Sequence, residues 1–151
     1  ELLERLRSGE IVAADAVELL QSDVFCSLTI VLVWDELSLE RVTAHLDVDH
    51  RHVQPHGLVH GGVWCSIVES TASFGAALHA AMTGQQVVGV NNTTDFVRGV
   101  REGRVDVLAV PVHVGRLQQL WQVELTRAED GKAVARGQVR LQNVEASQVA
   151  G

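Results

Sequence analysis

The residue with the clearest chemical potential in this sequence is Glu69, a single carboxylate inside a long uncharged stretch. From His52 to Thr94 the chain contains no Asp, Lys or Arg, and Glu69 is the one Glu. A carboxylate buried without a partner is costly, so it becomes protonated or finds hydrogen-bond donors. In a cleft, Glu69 would be a candidate nucleophile or general base. On a solvent-facing stripe of a helix, it would need no special role.

A glycine pair precedes Glu69, where the sequence reads His60-Gly61-Gly62. If a helix starts here, its first N–H groups have no acceptor within the helix and carry the positive end of the helix dipole. Glycine lets a ligand approach this backbone closely. The Gly61 N–H could therefore polarise a carbonyl that becomes an oxyanion. A helix start that serves packing alone is the alternative, and His60 is expected to shape the turn by hydrogen bonds.

The spacing between the two features predicts a shared site. Gly61 and Glu69 are eight residues apart, which is about 12 Å along a helix axis. One straight helix cannot bring both groups within about 3 Å of the same carbonyl. Two helices related by a twofold axis could do so, with Gly61 from one subunit and Glu69 from the other. Ser73 lies four residues beyond Glu69 on the same face and could orient the carboxylate or a water molecule.

The hydrophobic pattern indicates the elements that position these residues. The segment from Gly61 to Met82 is apolar on most faces and contains no Pro, which predicts a long buried helix ending near Gly84. Apolar, β-branched or alternating segments predict strands at residues 25–34, 41–48, 85–96, 104–114, 117–126 and 132–144. Residues 1–24 carry a helical pattern. This order favours an α+β fold in which an antiparallel sheet wraps around the central helix.

The composition restricts the possible partners and location. The chain has 151 residues and a formal net charge of −7, which fits one domain and argues against nucleic acid as the partner. No apolar run is long and pure enough to cross a bilayer. Cys26 and Cys65 are too few for a disulfide framework. We therefore expect reduced thiols and a cytoplasmic protein without a membrane anchor.

Two further clusters have a functional and a plain interpretation. His50, His52, His56 and His60 fall within eleven residues, but their spacing matches no zinc motif, so no metal is expected. Arg98, Arg101, Arg104 and Arg116 are either solvated turn charges or a rim that binds phosphate groups.

The sequence HGLVHGG at residues 56–62, followed by a lone acid in the next helix, resembles the hotdog-fold acyl-CoA thioesterases. The resemblance extends from about Phe25 to Val144. With Gln54 in the loop and Glu69 in the helix, it is most similar to the Glu-dependent 4-hydroxybenzoyl-CoA thioesterases. Ser73 departs from the Thr expected there and keeps only the hydroxyl.

This resemblance implies a fold, an activity and roles for the site residues. It implies one hotdog domain over residues 1–151, with a helical segment at 1–24 and the core at 25–144. The activity would be hydrolysis of an aryl-CoA thioester, with coenzyme A as part of the substrate and no separate cofactor. The subunits would form a dimer or a dimer of dimers. The catalytic residues would be Glu69, Gly61, Gln54, Ser73 and His60, and Arg98, Arg101 and Arg116 would meet the CoA phosphates.

Two other functions remain open from the sequence. A hotdog acyl-thioester dehydratase or hydratase could use His60 and Glu69 for acid–base work. An acyl-CoA-binding protein without turnover could use the same fold.

Overall fold

The computed structural model describes residues 29–149. These residues form a six-stranded antiparallel sheet and one long helix. The predicted helical segment at residues 1–24 lies outside the described residues, as does Cys26. The helices are α1 (Gly61–Ala81) and the short α2 (Ala146–Val149). The strands are β1 (Val33–Leu37), β2 (Val42–Val48), β3 (Gln85–Phe96), β4 (Gly103–Val114), β5 (Gln118–Arg127) and β6 (Ala133–Glu145).

The sheet has the strand order β1-β2-β4-β5-β6-β3, and every neighbouring pair is antiparallel. β3 is therefore an edge strand, although it follows α1 directly in the chain. The helix lies across one face of the sheet and packs most extensively against β3. It also meets β1 through the rings of Trp34 and Phe74. The prediction of an α+β fold with an antiparallel sheet around a central helix is confirmed.

α1 forms because its small and apolar residues bury one broad face against the sheet. The buried residues are Trp64, Ile67, Val68, Thr71, Ala72, Gly75, Ala76, Leu78 and Ala80. The helix starts at Gly61, as predicted, and ends one residue before the predicted Met82. Gly84, with a positive φ of 74°, follows and lets the chain turn into β3. Within the described part of the chain, no helix is long and apolar enough to span a membrane.

Of the strand predicted at residues 25–34, residues 25–28 lie outside the described residues, and most of the remainder is not extended. Residues 29 and 30 form a π-helical turn, and β1 begins only at Val33. Val31 has a φ of 63°, which interrupts extended backbone just before the strand. Ile30 and Leu32 are buried in the core. The apolar composition of residues 29–32 thus reflects burial in the core, and strand pairing starts only at Val33.

The later strands follow the predicted bounds closely, with two local irregularities. A Pro inside a strand is typical of a sheet edge or a bulge, and the β4–β5 register shifts between Pro111 and His113. In β6, the consecutive residues Val134 and Ala135 are both fully buried. The β5–β6 register shifts at this point, between Leu125 and Thr126, so strict alternation fails there.

A buried polar network ties α1 to the middle of the sheet. Gln119 Nε2 donates to the Ala76 carbonyl at 3.0 Å and to Asn143 Oδ1 at 2.9 Å. Trp121 Nε1 donates to Gln119 Oε1 at 3.0 Å. Above the indole, an ideal Cβ on Gly75 would lie 2.3 Å from the Trp121 ring. Gly75 thus allows the helix to approach the fully buried Trp121 closely.

Replacing Gly75 with Ala tests this close approach. The higher helix propensity of Ala favours the variant by about 0.5–1 kcal/mol, but overpacking a core costs about 1–3 kcal/mol. The free energy of unfolding of Gly75→Ala should therefore fall by about 1–2 kcal/mol in urea denaturation at fixed protein concentration. Ala77→Ser, at an exposed position of the same helix, is the control and should shift it by less than about 0.5 kcal/mol. Equal stabilities would contradict the close contact.

Candidate active site

The Glu69 carboxylate lies on the side of α1 that faces edge strand β3. The residue is half-buried, so neither full burial nor a plain solvent-facing position describes it. Asn92 of β3 supplies the hydrogen-bond donor that the surrounding sequence lacks, because its Nδ2 donates to Glu69 Oε2 at 3.0 Å. The same Nδ2 donates to the Cys65 carbonyl of α1 at 3.0 Å. The carboxylate is thus held at one oxygen by a neutral amide.

The backbone of β3 makes room for the other carboxylate oxygen. An ideal Cβ on Gly89 would lie only 2.5 Å from Glu69 Oε1, so a side chain at this position would displace the carboxylate. The β3–β6 register shifts between Gly89 and Asn91. Such bulges re-aim side chains and are frequent beside functional sites.

The start of α1 carries the second predicted feature. His60 is the N-cap residue, and its Nδ1 accepts a hydrogen bond from the Gly62 N–H at 2.9 Å. His60 therefore shapes the turn as predicted. The Gly61 N–H has no acceptor in the part of the chain that the structure describes, so it is available to a ligand. The Phe96 ring lies beside it, 2.6 Å from where a Gly61 Cβ would stand.

Gln54 belongs to the tight turn that leads into this helix start. Its N–H donates to the Leu58 carbonyl at 2.8 Å, and its carbonyl accepts from the Gly57 N–H at 2.8 Å. One step further out, the His60 N–H donates to the His52 carbonyl at 2.9 Å. These ladder-like bonds fix the half-buried Gln54 relative to His60 and Gly61.

Ser73 lies one turn beyond Glu69 on the same side of α1 and is half-buried. No described residue hydrogen-bonds to its hydroxyl, which leaves it available to a water molecule or a ligand. Within a single chain, Glu69 and Ser73 form one group and Gly61, His60 and Gln54 form another. The helix rise separates the two groups by about 12 Å.

The structure separates the arginines that were predicted to form one rim. Arg101 Nη1 donates to the His56 carbonyl of the Gln54 turn at 3.0 Å. Arg98 donates through its backbone N–H to the Val134 carbonyl at 3.0 Å, close to the end of β3. Arg116 instead lines a cavity with His79 and Thr83 at the opposite end of α1. One chain therefore brings Arg98 and Arg101, but not Arg116, near the helix start.

The histidine cluster has a structural explanation at His52. This side chain is buried, its Nδ1 accepts from the Asp49 N–H at 2.9 Å, and its Nε2 lies 2.7 Å from the Ile30 carbonyl. Hydrogen bonds from Arg51 hold the pKa of the Asp49 carboxyl well below its usual range. Among residues 29–149, no group of three His, Cys, Asp or Glu side chains could hold a metal ion.

Four residues of the site were not predicted from the sequence: Gly89, Asn92, Phe96, and Thr94, whose hydroxyl donates to the Asn92 side chain. They belong to the stretch QQVVGVNNTTDF, which the pattern predicted only as a strand. A usable signal is present, since Gly and Asn are depleted in strands and here interrupt a β-branched run. The partner of Asn92 on α1 depends on how helix and sheet pack and is not encoded in local spacing.

The outer edge of β3 is open and apolar. Its exposed hydrophobic residues include Val88, Val90 and Phe96, with Val90 at 54% and Phe96 at 58% relative exposure. A long edge strand with such residues is a template for pairing with another chain. Glu69 contacts this same strand, so the carboxylate lies close to the surface on which a second subunit would pair.

Several known proteins resemble this chain. Residues 56–134 match the family described as Thioesterase superfamily. The Mycobacterium tuberculosis protein named "Putative esterase Rv1847" is 50% identical over 117 residues, which cover 76% of this chain and 83% of that protein. Its solved structure superposes with a TM-score of 0.77 at 48% identity, covering 81% of this chain and 97% of that one.

Two more relatives have names that specify an activity. The 1,4-dihydroxy-2-naphthoyl-CoA hydrolase of Escherichia coli is 36% identical over 92 residues, covering 61% of this chain and 67% of that protein. The solved structure of thioesterase HI1161 from Haemophilus influenzae has a TM-score of 0.73 at 28% identity, covering 84% of this chain and 90% of that one. These likenesses confirm the predicted hotdog fold.

The His60 cap can be tested by its effect on stability. His60→Ala removes the acceptor of the Gly62 N–H, so the free energy of unfolding should fall by about 1 kcal/mol. His60→Asn supplies another capping acceptor and should retain most of the stability. Urea denaturation of both variants at one protein concentration provides the measurement. An alanine variant as stable as the wild type would show that the ring does not cap the helix.

Proposed function

This chain belongs to the Thioesterase superfamily and is a thioester hydrolase, and we propose that its substrates are aryl-CoA thioesters. The observation that carries the proposal is the Glu69 carboxylate, which Asn92 holds at one oxygen beside an open sheet edge. The E. coli relative is named for a hydroxylated aryl-CoA substrate. The sequence resemblance points to 4-hydroxybenzoyl-CoA, which is also a hydroxylated aryl-CoA thioester.

The proposed reaction starts with attack on the thioester carbonyl carbon. As a nucleophile, Glu69 would form a mixed anhydride while the C–S bond breaks and the CoA thiolate leaves. Water would then cleave the anhydride, releasing the aryl carboxylic acid and regenerating the carboxylate, while the second proton of the water neutralises the CoA thiolate to the thiol. As a general base, Glu69 would instead take a proton from the water that attacks the carbonyl directly. Both routes use the Glu69 carboxylate, and both give the same products.

The developing oxyanion needs a donor that the same helix cannot supply. We assign this role to the Gly61 N–H of a second subunit, because this donor has no acceptor among the described residues. Pairing through the edges of β3 would place two copies of α1 side by side and antiparallel. Each homodimer would then contain two sites, and two dimers would associate in the expected tetramer.

The remaining predicted residues have supporting roles in this proposal. Gln54, fixed in the turn before the helix start, would position the thioester or the water. Ser73 would hold the hydrolytic water near Glu69. Arg98 and Arg101 lie on the helix-start side of the molecule and would contact CoA phosphates there. Arg116 could join them only from another subunit.

A cytoplasmic location completes the proposal. The half-buried Cys65 is a free thiol, which suits a reducing compartment. Coenzyme A enters as part of the substrate, and no separate cofactor is required by the proposed chemistry.

The catalytic role of Glu69 is tested by release of free thiol from 4-hydroxybenzoyl-CoA. Glu69→Gln keeps the shape of the side chain but cannot act as a nucleophile or base, so kcat/KM should fall by about 10²–10⁴-fold. Glu129→Gln, an exposed glutamate in the β5–β6 turn, is the matched control and should keep wild-type activity. Full activity in Glu69→Gln would contradict the catalytic assignment.

A substrate panel tests the acyl group separately. The panel contains 4-hydroxybenzoyl-CoA, 1,4-dihydroxy-2-naphthoyl-CoA, a straight-chain acyl-CoA and crotonyl-CoA. The proposal expects the highest kcat/KM for one of the two aryl thioesters. A preference for the straight-chain substrate would overturn the aryl assignment, and hydration of crotonyl-CoA without thiol release would indicate a hydratase. Tight binding without any turnover would indicate a binding protein.

A further inference from the structure

We propose that Asn92 and Thr94 of β3 are positioning residues that anchor one oxygen of the Glu69 carboxylate and present the other to the substrate. The proposal rests on Glu69 being the catalytic group of the proposed function. Neither residue needs to touch the substrate, because both act through the carboxylate. The two side chains point from β3 towards α1, and both are half-buried.

The orientation of the Asn92 amide follows from its neighbours. Its nitrogen lies 3.0 Å from Glu69 Oε2 and 3.0 Å from the Cys65 carbonyl oxygen. A backbone carbonyl can only accept a hydrogen bond, and so can an ionised carboxylate. The opposite flip would place the amide oxygen against both acceptors. The nitrogen must therefore face Glu69, with one N–H for each acceptor.

Thr94 holds the amide in this orientation from the other side. Its Oγ1 donates to Asn92 Oδ1 at 2.7 Å. The hydroxyl, the amide and the carboxylate thus form one directional chain that ends at Glu69 Oε2. Hydrogen bonds to a charged acceptor are stronger than neutral ones, so this chain restrains the carboxylate more firmly than packing alone.

The second carboxylate oxygen is left available. No described residue donates a hydrogen bond to Glu69 Oε1, and this oxygen is not fully buried. It lies over Gly89, where the missing side chain provides the space. With Oε2 anchored, rotation of the carboxylate is restricted and Oε1 keeps a fixed direction of attack. Misplacing a reacting group by about 1 Å can cost 10²-fold in rate.

The opposite face of β3 provides a built-in control. There, Thr93 Oγ1 donates to Asn91 Oδ1 at 3.1 Å, which repeats the Thr94–Asn92 contact with the same residue types. Asn91 and Thr93 are exposed and lie on the face away from α1. Substitutions at these positions therefore change the same strand by the same chemistry without touching Glu69.

The experiment compares thioester hydrolysis by variants on the two faces. Asn92→Ala should lower kcat by about 10- to 100-fold with KM changed less than about threefold, because the carboxylate loses its anchor and substrate binding does not. Asn91→Ala should stay within about twofold of the wild type. Thr94→Val should lower kcat by about 3- to 10-fold, and Thr94→Ser should restore it, because Ser keeps the hydroxyl donor.

A second comparison separates positioning from structural damage. In the Glu69→Gln background, Asn92→Ala should change the residual rate by less than about twofold, because the group through which Asn92 acts is absent. A folding defect would lower the rate by the same factor in both backgrounds, and that result would overturn the proposal. If Asn92→Ala does not fold, the Thr94→Val and Thr94→Ser pair decides in the same two backgrounds.

The outcomes distinguish this proposal from the function on which it rests. If Glu69→Gln loses activity while Asn92→Ala and Thr94→Val keep wild-type kcat, the positioning role is wrong and the catalytic role of Glu69 stands. If Glu69→Gln keeps full activity, the catalytic assignment is wrong, and the positioning role that rests on it is wrong as well. Loss in Asn92→Ala equal to that in Asn91→Ala would also contradict the proposal, because the effect would then not depend on the face that meets Glu69.

Discussion

The rise of an α-helix sets the constraint on which this site depends. At about 1.5 Å per residue, α1 holds the free Gly61 N–H and the Glu69 carboxylate about 12 Å apart along its axis. Neither group can move towards the other, because the helix between them is packed against the sheet through fully buried Ile67 and Val68. A thioester carbonyl that needs both a donor and a carboxylate must therefore use two helices. The fold meets this requirement if subunits pair at β3.

The surrounding structure fixes each half of the site separately. At the helix start, His60 caps the Gly62 N–H and leaves the Gly61 N–H available. About two turns further along α1, Glu69 has its Oε2 held by the Asn92 amide of β3. Further along, Gly75 and the Gln119 network hold the helix against Trp121 in the middle of the sheet. Stability and function are thus served by successive segments of one helix, and β3 is the strand that connects the carboxylate to the open edge.

The sequence predicted the elements with a strong period and missed features that depend on tertiary contacts. The bounds of α1 and β3 were predicted within one residue, because no Pro interrupts the helical pattern and Gly84 separates its end from the start of the strand. Within the described residues, the first strand was predicted to begin before Val33, because apolar composition alone cannot distinguish the buried turn around Ile30 from a paired strand. The burial of both Val134 and Ala135 departs from simple alternation, because the register shift beside them is not visible in the sequence.

The candidate site likewise contains residues that the sequence predicted and residues whose roles depend on tertiary contacts. Glu69 and Gly61 stand out because their types are unusual for their surroundings, and local spacing was enough to predict that they serve different sites within one chain. Asn92 could not be predicted as the partner of Glu69, because 23 residues and a change of element separate them. The split of Arg116 from Arg98 and Arg101 likewise depends on the course of β4 and β5 across the sheet.

The central claim, that each site combines Gly61 of one subunit with Glu69 of another, is tested most directly by subunit complementation. Gly61→Pro removes the N–H at the first helical position, where the backbone after the extended His60 suits Pro. Gly61→Ala keeps the N–H and is the control for the added Cβ, which in both variants displaces the exposed Phe96 ring. Gly61→Pro and Glu69→Gln chains, each inactive alone, are co-expressed or refolded together, and thiol release is measured. Random pairing should restore about a quarter of wild-type activity, because half of the dimers are mixed and each mixed dimer has one intact site. No recovery in verified mixed dimers would contradict the shared site.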